Sequence, residues 1–122
     1  MNNRFFGATA AAAFGLFVLA TPAAASDVLG IGSVQCSQFN STFGNLGAAD
    51  QADVRIGLHQ WSFGYFSGRN AQAGGQARDL SGLDFDDTAD YIITQCQYYP
   101  NIRIFEIADT IYENLPYDGP GV

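Results

Sequence analysis

The chain has 122 residues, 12 acidic side chains against five basic ones, and a net charge of −7 at neutral pH. It therefore has no basic patch to meet phosphates, which excludes nucleic acid as the expected partner. With two Cys, a single His and no Cys-x-x-Cys pair, it also has little from which to build a metal site or a thiol catalyst.

The first quarter reads as a leader. Met1 to Arg4 carries one positive charge, Phe5 to Ala20 is an apolar run, and Ala23-Ala24-Ala25 supplies small residues for cleavage. We expect a signal peptide over residues 1–25 and a mature exported domain over residues 26–122. The apolar run, about 16 residues, falls short of the roughly 20 that a spanning helix needs, so no membrane anchor is expected after cleavage. Loss of Arg4 takes the net charge to about −8.

Ser26 to Gly32 reads as a flexible lead-in. Ser33 is placed to cap a short helix over residues 34–39 that turns Cys36 and Phe39 inward. Asn40-Ser41-Thr42 matches a glycosylation acceptor, a three-residue pattern too short to carry weight. Asn45-Leu46-Gly47 breaks the chain before a central helix that opens at Ala49 or Asp50. Val54, Leu58, Trp61 and Tyr65 then form an apolar stripe at helical spacing. Gly57, Gly64 and Gly68 run beside it, and three glycines on one side predict that another backbone passes close. Phe63 and Phe66 lie off the stripe. With Trp61 and Tyr65 they are the candidate core or protein-binding aromatics.

Residues 69–82 read as a mobile Gly-rich connection. The acidic start Asp84-Phe85-Asp86-Asp87-Thr88 leads a third helix with Ala89, Ile92, Ile93, Cys96 and Tyr99 in register, and Pro100 stops it. Asn101 caps a fourth, in which Ile104, Ala108, Ile111 and Leu115 form the stripe, Phe105 and Tyr112 flank it, and Pro116 ends it. In an exported chain Cys36 and Cys96 are expected to pair, closing a loop of about 60 residues worth on the order of 4 kcal/mol. The sum is a small all-α, four-helix domain with a disulfide tying the first helix to the third.

No catalytic constellation emerges. His59 reads as a structural or surface residue. Asp84, Asp86, Asp87 and Asp90 lack the spacing of a calcium loop and suit a helix N-terminus. There is no nucleophile elbow, no zinc motif and no phosphate loop. A binding protein is expected, with no enzymatic activity, cofactor or metal.

Cys36-Ser37-Gln38-Phe39, the segment His59-Gln60-Trp61-Ser62-Phe63-Gly64-Tyr65-Phe66-Ser67-Gly68, and Cys96-Gln97-Tyr98-Tyr99-Pro100 before an amphipathic helix together resemble the HdeA/HdeB family of periplasmic proteins of Gram-negative bacteria. The resemblance covers nearly the whole mature chain and implies an all-helical periplasmic domain with the Cys36–Cys96 disulfide. For the best-known members it implies an acid-stress chaperone, a homodimer at neutral pH that loosens in acid and holds unfolding periplasmic clients on exposed apolar surface. Those chaperones are Lys-rich, whereas this chain has no Lys and keeps four Arg after the leader. Gly64-Tyr65 and Gly68 also resemble the Gly-Tyr-x-x-Gly element of the Rap/Tai immunity proteins, which bind one specific secreted effector. That family generally sets a Cys close to the Gly-Tyr pair, and this chain does not.

Overall fold

The computed structural model describes residues 30–119. The expected signal peptide and residues 26–29 of the lead-in lie outside the described residues. Four α-helices follow one another: α1 Cys36–Gly44, α2 Ala48–Gln72, α3 Phe85–Tyr98 and α4 Ile104–Asn114. A 3₁₀ turn precedes them at Gly30–Ser33, and another lies between α2 and α3 at Gly74–Gln76. Among the described residues there is no strand, and two isolated bridges join Gln35 to Arg103 and Arg78 to Tyr117. The all-α, four-helix, single-disulfide architecture is as the sequence predicts.

Local chemistry sets most of the helix ends. Asp84 caps α3, its carboxylate accepting from the Asp87 amide at 3.0 Å, with Asp86 and Asp87 in the first turn. Glu106 reaches back to accept from the Arg103 amide at 2.8 Å and closes the start of α4. In α2, Asp50 lies in the first turn and Arg69 in the last, each complementing the helix dipole.

The start of α1 departs from expectation. Ser33 caps no helix, because its hydroxyl donates to Gly30 O at 2.8 Å within the preceding turn. Gln35 stays extended alongside Arg103, where the Cys36 amide donates to Ile102 O and the Ile104 amide to Val34 O. The helix therefore begins at Cys36 and runs on to Gly44.

One buried cluster unites Cys36 and Phe39 of α1, Leu58 of α2, Ile92, Ile93 and Cys96 of α3, and Ile104 and Ile107 of α4. The Cys36–Cys96 disulfide lies inside it, with Cα atoms 4.8 Å apart. The Asn40 amide donates to Cys96 O at 2.8 Å, a second tie between α1 and α3. A smaller cluster of Phe66, Ala108 and Tyr112 joins α2 to α4, and Trp61 and Ile111 pack against both clusters.

Three further expectations are corrected. First, the glycines of α2 face no backbone, since a Cβ at Gly57, Gly64 or Gly68 would meet nothing within 4 Å. The close approach is at Gly32, where a Cβ would fall 1.9 Å from the Trp61 ring, and so the end of the lead-in is a turn seated on Trp61. Second, the fully buried line of α2 is Leu58, Ser62 and Phe66, one step round from the expected stripe. Ser62 is tolerated there because its hydroxyl donates to Leu58 O at 2.6 Å. Third, the connection over residues 69–82 is tied down. Asn70 accepts from the Arg78 amide and donates to Arg78 O, both at 2.8 Å. The Asp79 amide donates to Pro116 O and the Asp118 amide to Ala77 O, both also at 2.8 Å.

Candidate functional site

The four candidate aromatics do not form one surface. Phe66 is fully buried against Tyr112, with ring centroids 6.2 Å apart. Trp61 is half-buried beneath the Gly30–Gly32 turn and stacks on Tyr65 at 4.9 Å. Phe63 is half-buried and lies 4.1 Å from the His59 ring, whose other neighbour is Phe85 at 3.9 Å. His59 is thus part of an aromatic stack between α2 and the start of α3, and its Nδ1 is buried with no partner among the described residues. The α2 aromatics face inward toward α3, α4 and the N-terminal turn.

A set of polar clamps adds to the apolar burial that holds them inward. Tyr65 and Arg69, one turn apart on α2, both donate to Asp109 Oδ1 of α4 at 2.7 Å. Burial first, and the bond to Asp109 second, push the Tyr65 phenol up to about 12. Arg69 also lies over the Tyr112 ring, 4.4 Å from its centroid, and the Tyr112 hydroxyl donates to Asn70. Nearer the start of α2, Arg55 pairs with Asp90 of α3 and lies 3.8 Å from Asp86. The four acids crowded at the start of α3 thus have roles without a metal: Asp84 caps, Asp87 is in the first turn, and Asp86 and Asp90 meet Arg55.

Sequence reasoning found Tyr65 but missed Asp109, Arg69 and Asn70. The i, i+4 spacing of Tyr65 and Arg69 places both on one side of a helix. Nothing local points to a carboxylate 40 residues further on.

Among the described residues no group of three or more His, Cys, Asp or Glu is arranged to hold a metal ion, and no helix is long and apolar enough to cross a membrane. Comparison with protein-family models, with curated proteins and with solved structures finds no match.

Proposed function

We propose that this chain is an exported, non-enzymatic binding protein of the periplasm that acts as an acid-stress chaperone, in the manner of the HdeA/HdeB proteins it resembles. One observation carries the reading. Every ion pair among the described residues joins α2 to α3 or α4 through an aspartate, while the disulfide joins α1 to α3 and leaves α2 out. At about pH 2 to 3 a side-chain carboxylate is largely protonated, and a pair that depends on it loses its negative partner.

Each exposed pair is worth only about 0–1 kcal/mol. A folded domain holds a margin of about 5–15 kcal/mol, so loss of several clamps and caps is a sizeable part of it. Acid then frees α2 while α1 and α3 remain joined, exposing Leu58, Trp61, Tyr65 and Phe66 to unfolding clients.

The test acidifies an aggregation-prone periplasmic enzyme to about pH 2 to 3, with and without the mature protein, following light scattering and Trp61 fluorescence together. Suppressed scattering with a changed Trp61 environment is the expected result. Undiminished aggregation at several-fold molar excess, or Trp61 emission unchanged from neutral pH, rejects the reading. The Rap/Tai alternative is less well supported, because Gly64 and Tyr65 lie on α2, which carries neither cysteine. A toxin gene next to this one would reverse that preference.

A further inference from the structure

We propose that the seam between α3 and α4 is a docking groove for a basic, aliphatic-bearing segment of a partner protein, engaged by the folded domain at neutral pH. Two hollows of about 370 and 300 Å³ lie along this seam, and Tyr91 and Thr110 line both. One runs to Leu83 and Leu115, the other to Tyr99 and Ile102, so together they follow most of α3. A 14-residue helix is about 21 Å long, which an extended segment of about six residues spans.

The lining is apolar below and tyrosine-rich at the edge. Tyr91 is 42% exposed and Tyr99 57%, large amphipathic side chains of the kind that anchor partners at little conformational cost. Charge then selects the occupant. Asp84 and Asp87 line the first hollow, and no basic side chain lines either.

The described arginines are all engaged elsewhere. Arg55 meets Asp86 and Asp90, Arg69 meets Asp109, Arg78 donates to the carbonyls of Glu113 and Leu115, and Arg103 donates to Ser33 O. An Arg or Lys from outside the chain is the complement this groove lacks. A second copy fits poorly, because it brings net negative charge and arginines already committed.

This groove is separate from the acid-released helix and has the opposite pH dependence, since a carboxylate attracts a cation only while it is charged. The probe is an eight-residue peptide alternating Arg and Leu, titrated into isotope-labelled mature protein at neutral pH, with a Glu-and-Leu peptide as control. Amide shifts concentrated at Leu83, Asp87, Tyr91, Thr110 and Asn114 are expected, with binding lost in acid. Asp87→Asn should weaken binding about 2- to 5-fold and Tyr91→Ala about tenfold. Thr110→Arg, at an exposed position, should abolish it by filling the seam with a cation. Shifts on α2 instead, equal binding of the control, or undiminished binding by Thr110→Arg overturns the proposal. So does a homodimer in sedimentation that Thr110→Arg dissociates, because a second copy then occupies the seam.

Discussion

Gly32 and Trp61 show how much one missing methyl group decides. Because a Cβ at Gly32 overlaps the indole, Gly32→Ala must displace either the turn or the ring, at a cost of about 1–3 kcal/mol by urea denaturation. Gly64→Ala should do the reverse. Its Cβ meets open space on a long helix, so removing a flexible residue adds about 0.5–1 kcal/mol. Tyr65 makes a prediction in pH. Its phenol titrates at about 12 in the folded protein against about 10 in an unfolded chain, so the neutral form is favoured by folding. The stability this gives is complete below pH 10 and is lost as pH rises toward 12. Tyr65→Phe should flatten that alkaline fall in the urea midpoint, and at neutral pH it should cost about 1 kcal/mol for the lost bond to Asp109.

Among the elements, the helices were the legible part and their connections were not. Apolar residues three and four apart marked α2, α3 and α4, because burying one face of a helix imposes that spacing on any sequence. The stretch over residues 69–82 read as mobile because its glycines carry no periodicity, yet Asn70 closes it on Arg78 and accepts from the Tyr112 hydroxyl of α4, beside the bonds to Pro116 and Asp118. Asn70→Ala should therefore cost about 2–3 kcal/mol and speed amide exchange over residues 77–80. The disulfide acts on other elements. Reducing Cys36–Cys96, whose loop spans 60 residues, should lower stability by about 3–4 kcal/mol and loosen α1 first, since α1 contributes only Cys36 and Phe39 to the main buried cluster.

For the whole molecule, acid sets two effects against each other. Protonation relieves repulsion in a chain with 12 acidic side chains, and it also removes the carboxylates that cap helices or clamp α2. Asp79, in the connection between α2 and α3, loses a local contact in the same way. Hydrogen bonds from the Ser81 side chain and amide hold its carboxyl below the usual carboxylate range, so the small stability it gives is complete above that range and is lost as pH falls from it through the lowered folded value. By itself the sequence determined the helices, their main stops and the class of fold, since prolines and apolar spacing act within a few residues of one another, whereas the caps expected at Ser33 and Asn101 did not form. The two cysteines determined the disulfide by leaving one intramolecular pairing. Only the tertiary structure decided that Phe66 is core, that Trp61 lies beneath Gly32, that Asp109 holds Tyr65 and Arg69, and that a groove opens along α3 and α4. Those facts depend on how far each helix turns about its axis when four of them share one small core. That rotation is set by contacts between residues distant in the chain, and no local pattern carries it.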